Sequence, residues 1–289
     1  MNEIRFALSS DDSFNSIAFD RLLAGMARRS PALDRDLVID LGRARFIDPY
    51  GTVCLALLAR ALFSPARQVA YVLPNDEDTQ RFMSAMGALE QMALYGELRN
   101  LSRTVNAGRA DFWGLGVTPI QTGTDVNAVI GRFLTLARNA LGFKPGDLAD
   151  SAKIVSELCS NIKDHSEDWG LAAVQLYRDR TGRRYVSIGI ADLGVGIRSS
   201  LSHLRPEVAA WTHQQAIEQA LSGLSSRANG GGLGLSSVRD IVRRYSGHLA
   251  VRSGDSKVQM TAGKATRALR VVQFAGTQVG LSFSQLADA

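Results

Sequence analysis

The chain has 289 residues, of which 45% are hydrophobic and 21% are charged, and its formal net charge is +5. This composition is typical of globular proteins and excludes a disordered or collagen-like chain, and at roughly 100–200 residues per domain the length favours two domains. The longest apolar stretch, residues 53–63, contains Arg60 and is far shorter than the roughly 20 residues of a membrane span. Acidic residues in the first twelve positions are not typical of a signal peptide. We therefore expect a cytoplasmic protein with no membrane partner.

The basic residues are scattered along the chain in short pairs such as Arg183 and Arg184. Because no long basic run or basic stripe is visible, we do not expect a nucleic-acid partner. A mild surplus of positive charge also suits a site for a polyphosphate anion.

Strand and helix patterns alternate over the first 90 residues. We predict strands at 3–8, 37–41 and 69–73, and helices at 17–26, 52–63 and 76–86, with a turn at 48–51. Strands that alternate with crossover helices favour a mostly parallel sheet. Glycine, asparagine and proline interrupt every long period between residues 99 and 124. We therefore predict a small α/β domain over residues 1–110, a linker over 111–124 and a second domain over 125–289.

The second half begins with two helical patterns and continues with a hairpin and a glycine-rich segment. Helices are predicted at 126–141, 148–164, 216–221 and 235–245, strands at 172–177, 184–191, 248–252, 268–274 and 278–283, and a turn at 144–147. Three short motifs in this half consist of residue types that bind nucleotides and metals.

The first motif is Glu157 and Asn161 on the predicted helix 148–164. Residues four apart lie on one face of a helix, so the carboxylate and the amide point the same way. A carboxylate accepts protons, and an amide oxygen is a suitable ligand for Mg²⁺. Such a pair is by itself common on exposed helix faces.

The second motif follows the strand 184–191 and comprises Asp192, Gly194 and Gly196. The glycines allow a sharp turn and a close approach of the backbone to a ligand. An aspartate at the end of a strand can accept a hydrogen bond from an exocyclic amine.

The third motif is the glycine-rich run 230–235, which leads into a predicted helix. Free backbone amides of such a loop and the N-terminus of the helix together form an anion cradle. The run is neither a Walker A loop nor a Rossmann fingerprint, because no Lys-Ser/Thr follows it and no strand leads directly into it.

In their order and spacing, the three motifs resemble those of the GHKL ATPases, which share the Bergerat ATP-binding fold. Residues 157–161 resemble the N box of that family, residues 192–196 its G1 box and residues 230–235 its G2 box. Residues 276–277 are similar to its last nucleotide-contacting motif. The resemblance covers residues 126–283 and implies an α/β fold, a two-layer sandwich of a mixed sheet with helices on one face.

The resemblance also implies bound ATP and Mg²⁺ and a role for each motif. Asp192 would accept from the adenine amino group with support from Thr277, Asn161 would hold Mg²⁺, and Glu157 would be the catalytic base. Residues 197–229 would form a lid over the nucleotide. The cofactor-binding residues of the glycine motifs would be Gly194, Gly196, Gly230, Gly231, Gly232, Leu233, Gly234 and Leu235.

The glutamate at position 157 narrows the choice within the family, because histidine kinases commonly have asparagine there. In having a glutamate at this position, the chain resembles the chaperone, mismatch-repair and anti-sigma-factor kinase members of the family. A glutamate there favours attack by water or by a Ser/Thr hydroxyl. All four histidines lie in the second half of the chain, so we expect no phosphoacceptor histidine ahead of the ATPase half.

Residues 36–51, followed by an apolar helix, resemble STAS domains, the fold of anti-sigma antagonists. The family's kinases phosphorylate a serine in the turn before that helix, but here the turn is Asp48, Pro49, Tyr50 and Gly51. We interpret the first half as a STAS-like docking or regulatory module and not as a substrate. An unrelated small α/β domain is the alternative.

These resemblances imply an ATP-gated regulatory switch with ATPase or Ser/Thr protein kinase activity. The expected partner is a STAS-type or sigma-factor-pathway protein, and a homodimer is also expected because GHKL relatives often dimerise. A split sensor histidine kinase ATPase subunit and a non-catalytic ATP-bound interaction module are the alternatives. A nucleic-acid-dependent ATPase is suggested only by the sequence pI of about 9.5.

Overall fold

A computed structural model describes residues 3–8, 13–29, 35–65, 67–103, 105, 114–141, 143–178, 182, 184–224 and 234–284. The chain divides into two compact units, residues 1–112 and 113–289. Over the described ranges, no helix is both long enough and apolar enough to cross a membrane.

The first unit is built on a four-stranded parallel sheet in the order β1-β3-β5-β6. Its elements are β1 (Ile4–Ala7), β2 (Ser13–Phe14), α1 (Ser16–Ala27), β3 (Leu37–Asp40), β4 (Phe46–Ile47), α2 (Pro49–Leu62), β5 (Val69–Val72), α3 (Glu77–Ala85), α4 (Ala88–Ala93) and β6 (Glu97–Arg99). The short strands β2 and β4 pair with each other in parallel. The prediction of a mostly parallel sheet is therefore confirmed.

Helix α2 is the central helix of this unit, and its side chains are buried from Pro49 to Ala59. A helix that is apolar all round is stable only when it is covered on all sides. The predicted turn at 48–51 is wrong, because Asp48 is the N-cap and Pro49 begins the helix. Asp48 Oδ1 accepts from the Gly51 N–H at 2.6 Å, and proline at the first helical position lacks only an N–H that has no helical partner.

The second unit contains a five-stranded sheet in the order β10-β11-β9-β8-β7. Its elements are β7 (Gly114–Ile120), α5 (Gly123–Leu136), a π-helical segment (Ala137–Leu141), α6 (Pro145–His165), β8 (Gly170–Arg178), β9 (Arg184–Asp192), α7 (Gly196–Ser202), a 3-10 helix (Pro206–Ala210), α8 (His213–Ser222), α9 (Gly234–Arg244), β10 (His248–Thr261) and β11 (Arg267–Ser284). Alternate residues of the strands, such as Val186, Ile188 and Ile190, share one hydrophobic core with the helices. The predicted α/β sandwich is confirmed, but each described strand pairing is antiparallel and not mixed.

Strand β7 lies within the predicted linker 111–124 and pairs with β8. Gly114, Gly116 and Pro119 make its sequence look like a loop. An edge strand tolerates such residues because one of its sides needs no hydrogen bonds to a neighbour. The predicted turn at 144–147 likewise differs from the structure, since Pro145 begins α6.

The last two predicted strands, 268–274 and 278–283, form the single strand β11. Its pairing with β10 is in regular register from His248 to Ser253 and is interrupted next to Gly254. Gly254 has a φ of +62°, a conformation that glycine adopts without strain. The pairing of β10 with β11 is therefore irregular on both sides of Gly254.

Candidate functional site

One cavity in the second unit is bordered by α6, the end of β9, α7, α8, the start of α9 and β11. Most of the predicted site residues that the structure describes line it: Glu157, Asn161, Asp192, Gly196, Gly234, Leu235 and Thr277. Gly194 is not part of the lining but contacts Asp192 through its backbone. Gly230, Gly231, Gly232 and Leu233 lie outside the described residues.

Helix α6 presents Glu157 and Asn161 to the cavity because its opposite face is apolar. Val155 and Cys159 on that face are buried in the core, which fixes the rotation of the helix. His165 lies a further turn along the exposed face and also lines the cavity. The four-residue spacing seen in the sequence therefore gives one polar wall.

Asp192 is the last residue of β9 and is only 5% exposed. Its Oδ1 accepts from the Gly194 N–H at 2.8 Å and from the Thr277 N–H at 3.3 Å. Burial raises the pKa of Asp192 to about 7; the two N–H donors oppose this shift, and the nearby Asp168 adds to it. Within the described part of the chain Oδ2 has no hydrogen-bond partner, so it is available to accept from a ligand amine.

Two glycines next to Asp192 are required by close backbone contacts. A Cβ at Gly194 would overlap the backbone of Ser166, whose carbonyl accepts from the Val195 N–H at 2.9 Å. Gly276 has a φ of +72°, and a Cβ there would overlap the carbonyl of Asp192. Any larger residue at either position would displace the end of β9 that carries the carboxylate.

A buried polar network behind Asp192 was not predicted from the sequence. Gln278 donates from Nε2 to the Asp192 carbonyl at 3.1 Å and to the Ala275 carbonyl at 2.7 Å. Arg252 donates from Nη1 to Gln278 Oε1 at 3.1 Å, and both side chains are fully buried. Arg252 also donates to the Val272 carbonyl and lies 5.5 Å from the Phe274 ring centre. The network holds β9 and β11 together beneath the cavity.

Ser253 forms a second link that the sequence did not reveal. Its Oγ accepts from the Ile197 N–H at 3.0 Å and donates to the Gly276 carbonyl at 3.1 Å. Ile197 belongs to the first turn of α7, the start of the predicted lid. The residue therefore ties α7 to the part of β11 that carries Thr277.

Helix α9 begins at Gly234 on the cavity wall, with a φ of +60° at that residue. Leu235 is 9% exposed and packs in the core, which anchors the first turn. The first backbone N–H groups of a helix have no helical acceptor and attract anions. This end of the cavity can therefore bind a phosphate group.

The described residues contain no group of three or more His, Cys, Asp and Glu side chains that could hold a metal ion. Asn161 nevertheless places an amide oxygen at the cavity. Mg²⁺ in phosphate-transfer sites is held by one or two protein oxygens together with substrate phosphates and water. The residues thus fit a Mg²⁺ ion that binds together with a polyphosphate, not an ion held by the protein alone.

Comparison with known families shows that residues 146–285, just under half of the chain, match the family described as histidine kinase-, DNA gyrase B- and HSP90-like ATPase. Comparison with curated proteins and with solved structures gave no match. The matched segment includes every residue named above as lining the cavity. This match supports a GHKL-type, ATP-binding domain over residues 146–285.

Proposed function

We propose that this chain is a regulatory ATP- and Mg²⁺-binding protein, an ATP-gated switch with ATPase or Ser/Thr protein kinase activity toward a protein partner. The carrying observation is that one cavity collects Glu157, Asn161, Asp192, Gly234 and Thr277 from separate parts of the sequence. The set combines an amine acceptor, a metal ligand, a helix N-terminus and a carboxylate base.

The adenine end of the proposed site is at Asp192. Its free Oδ2 would accept from the exocyclic amine, while the Thr277 and Gly194 N–H groups hold Oδ1. Ile190 and Val279 line the same part of the cavity and offer apolar surface to a purine ring. A ligand amine favours the ionised carboxylate, so binding would lower the pKa of Asp192 again.

The phosphate end of the proposed site lies between α6 and the start of α9. Asn161 would hold Mg²⁺, which supplies charge neutralisation to the phosphates when bound. The Gly234 end of α9 would donate backbone N–H groups to phosphate oxygens. Both features border the same cavity as Asp192, which is the last residue of β9.

Glu157 is the proposed general base. It lies one helical turn before Asn161 on the same face of α6, so it faces the phosphate end. Its carboxylate would take the proton of an attacking water or hydroxyl, while the bond from the γ-phosphorus to the bridging oxygen of ADP breaks. A positioned base of this kind contributes roughly 10²–10⁴-fold to a rate.

We further propose that the first unit is a STAS-like docking or regulatory module and that the phosphoacceptor lies on a partner of STAS or sigma-factor-pathway type. Tyr50 is the hydroxyl residue at the position of the family's acceptor turn, and it is only 3% exposed. Asp48 in the same turn is engaged as the N-cap of α2. Neither group presents itself to an incoming phosphate.

The deciding experiment is a titration of the full chain with ATP and Mg²⁺ by calorimetry. D192A should abolish binding, whereas E157Q should bind ATP within a few-fold of wild type and lose turnover or transfer. E90Q, an exposed carboxylate of the first unit, is the matched control and should change neither. Failure of the wild-type chain to bind ATP would overturn the proposal.

Incubation with labelled ATP and a cell lysate then identifies the acceptor atom. Acid-stable phosphoserine or phosphothreonine on a partner supports a kinase, and free phosphate alone supports an ATPase. Acid-labile, base-stable phosphate on a partner would indicate a split histidine kinase instead. If E157Q retained full cellular function, the chain would be a non-catalytic ATP-bound module.

A further inference from the structure

A groove between β1 and α1 in the first unit is lined by four arginines: Arg5, Arg21, Arg28 and Arg29. We call it the arginine groove. All four are exposed, and none of the Asp and Glu residues that the structure describes lines it. Residues 1–112 contain thirteen arginines, no lysine and fourteen Asp and Glu residues. The groove is therefore a local concentration of positive charge on a unit that is not basic overall.

Only part of this charge is neutralised by the protein. Arg5 Nε donates to Asp40 Oδ2 at 2.8 Å. Arg29 Nη1 donates to the backbone carbonyl of Arg5 at 3.1 Å, and its guanidinium lies 5.6 Å from the Phe6 ring centre. Within the described residues neither Arg28 nor Arg29 has a carboxylate partner. The groove is therefore complementary to a ligand with several negative charges.

One wall of the groove is the outer edge of the parallel sheet. The Ile4 N–H donates to the Asp36 carbonyl and the Leu8 N–H to the Asp40 carbonyl, both on the side of β3. Because alternate peptide groups of a strand face opposite edges, those of Arg5 and Ala7 face the groove. In the described sheet β1 is an end strand, so these groups have no strand partner there. Arg29 covers the carbonyl of Arg5.

The shape of the groove favours an extended ligand over a single phosphate. From Ala18 to Arg29 the wall formed by α1 is about 16 Å long at 1.5 Å per residue, and β1 runs beside it. Phe6, Leu8 and Leu22 add buried apolar surface to the lining. A lone phosphate would contact one or two guanidinium groups and leave the apolar part uncovered.

We propose that the arginine groove binds an extended acidic segment of a partner protein, which adds to β1 as a further strand. Main-chain hydrogen bonds to an exposed strand supply affinity, and side-chain pockets supply specificity. The N–H of the incoming strand would replace Arg29 at the Arg5 carbonyl. Arg29 would then pair with a carboxylate, as would Arg28 on α1. The acidic side chains of the segment would face α1, and those at the alternate positions would face the opposite side of the sheet.

The probe is a labelled peptide of alternating Glu and Val, compared with a Gln and Val peptide of equal length. Fluorescence polarisation with the full chain at low salt should show binding of the acidic peptide only. R28Q/R29Q should weaken it at least tenfold. R43Q/R45Q removes the same charge from exposed arginines elsewhere in this unit and should leave binding within twofold.

A7P separates strand addition from simple charge attraction. It removes the Ala7 N–H, which faces the groove, and should weaken the peptide several-fold while leaving tripolyphosphate binding unchanged. Circular dichroism and an unchanged urea unfolding midpoint verify that the variants fold. These readouts are independent of the ATP site, so this proposal and the proposed function fail separately.

Four results would overturn the proposal: no binding of the acidic peptide, an equal loss in R43Q/R45Q, full competition by tripolyphosphate at lower concentration than the peptide, or no effect of A7P on the peptide. A fifth involves Asp11 and Asp12, which lie outside the described residues. If D11N/D12N binds the peptide much more tightly than wild type, the chain's own acidic residues are the ligand.

Discussion

The side chain of Gln278 donates a hydrogen bond to the backbone carbonyl of Asp192 at 3.1 Å, across two neighbouring strands. The carboxylate of Asp192 therefore depends on buried polar groups that do not themselves enter the cavity. Gln278 is held in turn by Arg252, its cross-strand partner in the register of β10 and β11.

The Q278L substitution should destabilise the second unit by about 1.5–3 kcal/mol, because it leaves the buried guanidinium of Arg252 without one acceptor. R252M/Q278L removes both partners and should recover part of that loss. All three tryptophans lie at position 113 or later, so urea unfolding followed by tryptophan fluorescence reports on this unit. Strict additivity of the R252M and Q278L effects would contradict the network.

The affinity for ATP should fall with decreasing pH. The pKa of Asp192 is raised to about 7 in the free protein, and a ligand amine binds only the ionised carboxylate. Affinity should therefore be about tenfold lower at pH 6 than at pH 8. Calorimetry in excess Mg²⁺, which keeps the phosphates ionised, measures this. E157Q should show the same profile; a flat profile in the wild type would exclude Asp192 as the titrating acceptor.

Gly276 and Gly263 provide a matched pair of substitutions. Their φ angles are +72° and +74°, but only a Cβ at Gly276 meets other atoms, the nearest being the Asp192 carbonyl. G263A should cost about 1 kcal/mol through backbone strain alone. G276A should cost clearly more and should weaken ATP binding at least tenfold, since it displaces Asp192. Equal effects on stability and unchanged ATP affinity would show that this contact is unimportant.

The stability of the first unit around α2 should depend on pH because of Asp48, the N-cap of that helix. Its surroundings raise its pKa to about 6, mainly through burial, from about 3.9 in an unfolded chain. The unfolded state therefore loses this proton first, and stability falls as pH rises from about 4 to about 6, by up to about 3 kcal/mol, and then levels off. D48N should abolish this dependence because the asparagine amide does not ionise. It should keep the helix cap, because asparagine also caps helices.

Hydrogen exchange of the α2 backbone amides at pH 4.5 and pH 7.5 measures this effect, after correction for the intrinsic exchange rate. D48A is the comparison variant: it loses the hydrogen bond to Gly51, so at pH 4.5, where Asp48 is protonated in the folded state, the free energy of opening α2 should fall by about 1 kcal/mol. If wild type and D48N responded equally to pH, Asp48 would not be the titrating group.

The sequence by itself determined those features that depend on neighbours along the chain. The four-residue spacing of Glu157 and Asn161 requires only a helix to place both on one face, and the structure has that helix. The parallel sheet of the first unit follows from strands that alternate with helices. Helix capping also depends on near neighbours. At 48–51 and 144–147, however, we interpreted the proline as a sign of a turn, whereas in the structure Pro49 and Pro145 begin helices.

Tertiary structure alone decided which distant residues meet. Arg252 and Gln278 are ordinary polar residues in the sequence, and they become a buried pair only through the register of β10 with β11. Strand β7 forms because β8 supplies its hydrogen bonds. The glycines and the proline in the sequence of β7 do not predict a strand. Periodicity records which side of an element is apolar, whereas strand register and sheet order arise from packing over long separations, which no local pattern encodes.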